Sequence, residues 1–301
     1  MSLLHRLIPT LLLAGFAAGI SAAPLTIRHA SGTTELKERP QKVLVYDLGA
    51  LDTLDALGVK VAGVPAAHMP PALKRYEGKE FPKIGSLFDP DYEAVAAAAP
   101  DLIIVGSRAR AKFAELSRIA PVIDVTPDAK DYLGSTERNA RLLGQLFGKE
   151  AEVERRLRQL EVSSAALKAR ASKAGNALIV LTTGGKISAY GPGSRFGAIH
   201  DQFGMPPADT SLKPSTHGQA VSYEYILKIN PDWLFVVDRD SAIGNQGRAA
   251  AQLLDNPVVA RTRAWQSKHV IYLDPAAIYL TSGGLRSEQA IVDAVARAFA
   301  N

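Results

Sequence analysis

The chain has 301 residues, 47% hydrophobic and 22% charged, with a formal net charge of +5, a composition that suits a packed globular protein and excludes a disordered one. It contains no cysteine, which excludes disulfides, iron–sulfur ligation, a thiol nucleophile and a lipid-bearing cysteine anchor. The basic residues are dispersed and no glycine-rich phosphate loop or DNA-binding pattern occurs, so nucleic acid is not expected as a partner.

His5 and Arg6 precede a largely apolar run from Leu7 to Ile20, followed by the small residues Ser21, Ala22 and Ala23. That order is the order of a secretory signal. The run is about 14 residues, short of the roughly 20 that a spanning helix needs. Residues 1–23 are therefore expected to be a cleaved signal peptide, with the mature start at Ala23 or Pro24. Without a lipid-bearing cysteine, the mature chain is expected in the periplasm. Loss of Arg6 leaves a modest positive charge, which favours anionic ligands.

Leu25 to Ala30 and Thr33 to Leu36 flank Ser31-Gly32 and predict an opening hairpin. Val43 to Tyr46 reads as a buried strand. Leu48, Leu51 and Leu54 follow at helical spacing up to Gly58, and Val59 to Val64 reads as a further strand. Ala94 to Ala99 predicts a helix ended by Pro100, with the apolar strand Leu102 to Val105 behind it. Alternation of this kind predicts parallel α/β layers.

Residues 149–174 contain neither Gly nor Pro, and Val153, Leu157, Leu160 and Leu167 form one apolar stripe. Glu152–Arg156 and Glu154–Arg158 are spaced as helical ion pairs. Apolar strands resume at Ala177, so the stretch is expected to be one long helix joining two α/β lobes, 24–148 and 175–301.

A repeat supports two related lobes. Asp91-Tyr92-Glu93-Ala94-Val95 and Pro100-Asp101-Leu102-Ile103-Ile104-Val105 recur 131 positions later as Ser222-Tyr223-Glu224-Tyr225-Ile226 and Pro231-Asp232-Trp233-Leu234-Phe235-Val236. Three residues beyond each strand stands an arginine, Arg108 or Arg239. Ligands of open α/β sheets collect outside the carboxyl ends of strands. Two arginines placed there would face a shared cleft and hold an anionic oxygen ligand through charge-assisted hydrogen bonds.

Three loops complete the candidate site: Tyr190-Gly191-Pro192-Gly193-Ser194-Arg195-Phe196-Gly197, Ser215-Thr216-His217-Gly218-Gln219, and Ile278-Tyr279-Leu280-Thr281-Ser282-Gly283-Gly284. With Ile199-His200-Asp201, they resemble the periplasmic ferric-siderophore binding proteins of ABC importers, and within these the branch that binds catecholate siderophores such as enterobactin fragments and petrobactin. The resemblance implies the class III binding-protein fold, two α/β lobes joined by one long helix with the ligand cleft between them. It implies no catalysis and no permanent cofactor, only Fe(III) bound as its siderophore complex to a monomer. It makes Arg108, Arg195 and Arg239 siderophore contacts, although the local spacing leaves Arg110 as an alternative to Arg108. It makes His217 and Tyr279 direct iron ligands, and Glu93 and Glu224 docking residues for an inner-membrane ABC permease. The remaining histidines, His29, His68, His200 and His269, are expected to be structural.

The chemistry is coherent on its own terms. Ferric iron takes six hard donors, including phenolate and imidazole. A bis-catecholate supplies four and leaves two open positions for one His and one Tyr. Haem or cobalamin binding on the same fold is the alternative within the binding class. An exported α/β enzyme is the alternative outside it, against which stand the missing nucleophile elbow and the missing dinucleotide pattern.

Overall fold

The computed structural model describes residues 25–245 and 247–299. The expected signal peptide, 1–23, lies outside the described residues.

The opening hairpin pairs β1 (Leu25–His29) with β2 (Gly32–Leu36). The first α/β layer follows with β3 (Val43–Val45), α1 (Leu48–Ala56), α2 (Tyr92–Ala98), β4 (Leu102–Val105) and β5 (Val122–Asp124). Its three strands are parallel, in the order β3-β4-β5. The expected strand over 59–64 does not form a regular ladder. Gly63 bridges Leu44 and Val64 bridges Lys83 as isolated pairs. The segment changes partner midway: the Ala62 N–H donates to Val43, while the N–H groups of Val64 and Ala66 donate to Pro82 and Gly85.

Helices α3 (Tyr132–Phe147) and α4 (Glu150–Ala171) lead into the second layer. This layer contains β6 (Ala177–Thr183), β7 (Lys186–Tyr190), α5 (Ala198–Asp201), β8 (Gln219–Val221), α6 (Tyr223–Ile229), β9 (Trp233–Asp238), β10 (Val270–Tyr272), α7 (Pro275–Tyr279) and α8 (Leu285–Ala298). The sheet runs β10-β9-β6-β7-β8, parallel from β10 to β6 and antiparallel beyond.

The long helix α4 is shared between the two cores. Val153 and Leu157 join the first, while Leu160, Leu167 and Ala171 join the second. Arg156 pairs with Glu152 at 2.7 Å as its spacing predicts, but Glu154 pairs with Arg141 of α3 at 2.8 Å instead of Arg158. A second helix also spans the lobes. Leu285 of α8 is buried in the first core, and Ile291, Val292 and Val295 in the second. Asp52 of α1 caps its start, accepting from the N–H groups of Arg286 and Ser287 at 3.0 Å each.

The repeat appears as matching geometry. Helices α2 and α6 are equal in length and are capped by Asp91 and Ser222, whose side chains accept from the N–H groups of Ala94 and Tyr225. Each helix ends in a left-handed residue, Ala99 at φ 44° and Asn230 at φ 48°. A proline follows both, and proline disfavours helical backbone in the residue before it. Asp101 and Asp232 then accept backbone N–H groups of Lys42 and Asn176, each just before the neighbouring strand. These devices deliver β4 and β9, and the arginines beyond them, to equivalent places in the two lobes.

Candidate functional site

A cleft of about 1540 Å³ opens between the lobes. Arg108, Arg195, Arg239, His217 and Tyr279 all line it, so the five residues singled out from distant positions in the sequence share one surface.

The three arginines converge on Tyr279, the last residue of α7. Arg108, from the first lobe, donates to the Tyr279 carbonyl at 2.6 Å, and Arg195 donates to the same oxygen at 2.9 Å. The Nε–H of Arg239 donates to the Tyr279 hydroxyl at 2.8 Å, and its Nη1 donates to Thr183 at 3.1 Å. The guanidinium carbons lie 5.6 Å (Arg108), 4.2 Å (Arg195) and 5.7 Å (Arg239) from the centroid of the Tyr279 ring. Cations over a phenol face are attracted by its quadrupole. Burial pushes the Tyr279 phenol up, but the Arg239 hydrogen bond and the charges of Arg195, Arg239 and Arg108 outweigh it and hold the group below its ordinary value. Arg108 is itself lowered, first by burial and then by Arg195, with Asp47 and Tyr279 acting in the opposite sense.

Local structure fixes the loop that carries Arg195. Asp201 accepts the Gly193 N–H at 2.7 Å, and Ser194 donates to the Gly191 carbonyl at 2.5 Å. At Gly197 a β-carbon would stand 2.7 Å from the Asp201 carboxylate and 2.9 Å from the Gly193 nitrogen, so only glycine fits. In the loop of His217, Ser215 Oγ accepts the N–H groups of His217 and Gly218 at 3.2 and 3.1 Å. Gly218 takes φ 72°, and a β-carbon there would stand 2.7 Å from the Tyr190 ring.

Arg108 and Arg110 both line the cleft, but they are engaged differently. Arg110 forms an ion pair with the buried Asp124 at 3.1 Å and reaches toward the Ala30 carbonyl at 3.4 Å. Arg108 reaches across to Tyr279. Glu93 and Glu224 stand exposed in the first turns of α2 and α6, outside the residues lining the cleft. The sequence reading missed several lining residues, including Asp47, Phe88, Lys168 and Thr183. Asp47 was hidden as the N-cap of α1, where its side chain accepts from Ala50 at 2.9 Å. Of the four expected structural histidines, His200 is buried, with Nδ1 2.9 Å from the Met205 carbonyl, and His269 stacks on Trp233 at 3.9 Å.

Among the described residues, no three His, Asp or Glu side chains gather into a metal-holding group. The Tyr279 phenol and the His217 imidazole both belong to the lining of the cleft.

The sequence pattern of the Periplasmic binding protein family matches residues 43–277. The chain belongs to this family. Its members are substrate-binding proteins, which decides between a binding protein and an enzyme. The chain is 44% identical over 268 residues to the petrobactin-binding protein YclQ of Bacillus subtilis, covering 87% of this chain and 84% of the relative. The crystal structure of that protein superimposes with a TM-score of 0.89 at 41% identity, over 93% of this chain and all of the other. The periplasmic catecholate-siderophore binding protein VctP of Vibrio cholerae superimposes with a TM-score of 0.86 at 34% identity, over 91% and 99%. These relatives share the two-lobed class III fold.

Proposed function

We propose that this binding protein captures a ferric catecholate siderophore in the cleft and delivers it to an inner-membrane ABC permease. The observation that carries the reading is the convergence of Arg108, Arg195 and Arg239 on Tyr279. Three permanent cations around one phenol make a cage for a multiply anionic oxygen ligand. A ferric bis-catecholate carries about −1 and a tris-catecholate about −3, so either is attracted to this cage. Tyr279, already biased toward phenolate, and His217 on the facing loop supply the two donors that a four-coordinate siderophore leaves open. That YclQ binds petrobactin and VctP a catecholate siderophore supports the same ligand class.

Residues 24–148 and 175–301 act as two jaws on the rod of residues 149–174. Glu93 and Glu224, related by the repeat, sit one on each jaw and suit a two-subunit pore whose halves offer equivalent surfaces. The charge, apolar run and small residues of positions 1–23 and the lack of cysteine support export without a lipid anchor, and the proposed protein works in the periplasm as a monomer.

The test is quenching of intrinsic fluorescence during titration with ferric catecholates, a ferric trihydroxamate, ferric citrate and haem side by side. Tightest binding of a catecholate is expected. Tighter binding of haem or of the trihydroxamate overturns the proposal.

A further inference from the structure

We infer that Phe88 is a ligand-contacting residue of the first lobe, packing its ring against a catechol ring of the cargo; the inference rests on the catecholate reading above and adds an aromatic contact to it. Phe88 lines the cleft and is 57% exposed. A single exposed apolar side chain is ordinary on a protein surface. This one, however, sits on a turn tied by several hydrogen bonds.

Ser86 Oγ accepts the N–H groups of Phe88 and Asp89 at 3.2 and 2.9 Å, and the Ser86 N–H donates to the Asp89 carbonyl at 2.9 Å. The Asp91 N–H then closes the turn onto the Ile84 carbonyl at 2.9 Å, and that oxygen also accepts from the buried Tyr46 hydroxyl at 2.5 Å. Gly85, at φ 107°, has no room for a β-carbon, which would stand 2.4 Å from the Asp89 carbonyl. The backbone beneath Phe88 is therefore fixed while its ring faces the cleft. A ring presented in this way loses little freedom on contact with a ligand, which favours affinity.

The second lobe carries a similar serine turn at the cleft. There Ser215 Oγ accepts from residues two and three positions on, His217 and Gly218, as Ser86 Oγ does from Phe88 and Asp89. Each serine turn lies shortly before the capped helix of the repeat, α2 or α6, and each shows the residue two beyond the serine to the cleft. By the constant offset of the repeat the two turns are displaced by two positions, so Phe88 and His217 are alike in how their turns are tied and not in register. A phenyl ring neither coordinates iron nor forms strong hydrogen bonds. What it offers is an apolar face for offset or edge packing on another ring. The first lobe would grip the organic shell of the complex, while the second faces its metal. The ligand class this selects is aromatic, in preference to aliphatic hydroxycarboxylates.

The experiment is calorimetric titration of wild type, Phe88→Ala and Phe88→Trp with the ferric complex of a linear bis-catecholamide. It is paired with NMR of wild type bound to the diamagnetic gallium(III) complex. Phe88→Ala is expected to lose about tenfold in affinity and Phe88→Trp to stay within about twofold of wild type. Cross-peaks between the Phe88 ring and catechol protons are expected. Unchanged affinity of Phe88→Ala with no such cross-peaks overturns the inference and leaves the catecholate reading standing. Failure of wild type to bind the complex overturns both.

Discussion

The Tyr279 hydroxyl accepts a 2.8 Å hydrogen bond from Arg239, while two further arginines hold the carbonyl of the same tyrosine. Tyr279 is thus a shared hydrogen-bond partner of all three arginines. Under the proposed function, entry of an anionic complex would exchange these bonds for bonds to the cargo and free the phenol oxygen for the iron.

The first consequence is measurable without any ligand. Folding lowers the Tyr279 phenol below its ordinary value, so the folded state favours the phenolate. By linkage, this contributes stability that is fully present above the unfolded pKa of about 10 and is lost as pH falls through the lower folded value. An ultraviolet difference titration of wild type against Tyr279→Phe should show one tyrosine ionising ahead of the others. Arg239→Ala should move that step back up. A Tyr279 that ionises with the bulk of the tyrosines contradicts the cage.

Much of this arrangement was legible before the fold. Arg108 and Arg239 were found because a helix, a Pro-Asp break and a strand recur at a constant offset, and equal local sequences deliver equal geometry. Other features could not be read. That Arg108 and not Arg110 reaches Tyr279 goes with the ion pair of Arg110 and Asp124, on a strand whose proximity no local spacing reveals. The strand expected over 59–64 breaks into isolated bridges because it changes partner midway, Ala62 donating to Val43 and Val64 to Pro82. The role of Asp52 was invisible, since the backbone groups it caps lie more than 230 positions along the chain.

That cap leads to the second prediction. Asp52→Ala removes two backbone hydrogen bonds at the start of α8 and one partner of Arg286, which retains Asp55 at 2.6 Å. Loss of a cap and of buried hydrogen bonds should cost about 2 kcal/mol of stability, read in a denaturant titration. The turn at 281–284 joins this cap to Tyr279, so ligand affinity should fall as well. Wild-type stability in the variant would show that α8 is held by its apolar face alone.

The third prediction separates capture from delivery. Glu93 and Glu224 lie outside the residues that line the cleft, so the double variant Glu93→Ala/Glu224→Ala should bind the ferric complex with wild-type affinity. Uptake of iron-55 by cells carrying only this variant should drop severalfold. Normal uptake would reduce both glutamates to favourable charges in the first turns of their helices.

The last prediction concerns the open coordination positions. A tris-catecholate fills all six sites of ferric iron and leaves His217 and Tyr279 nothing to bind. A bis-catecholate leaves two. His217→Ala and Tyr279→Phe should therefore weaken the bis-catecholate complex strongly and the tris-catecholate complex weakly. A lost hydrogen bond to a charged group costs about 1.5–3 kcal/mol, and a lost metal bond should cost at least as much. The expected drop is thus about tenfold or more for the bis-catecholate. Tyr279→Phe leaves the ring in place among the arginines but removes the oxygen, so a change in the visible charge-transfer band would report the metal bond itself. Equal loss for both complexes, with an unchanged band, would mean that Tyr279 serves only to order the arginines and that His217 is cleft lining.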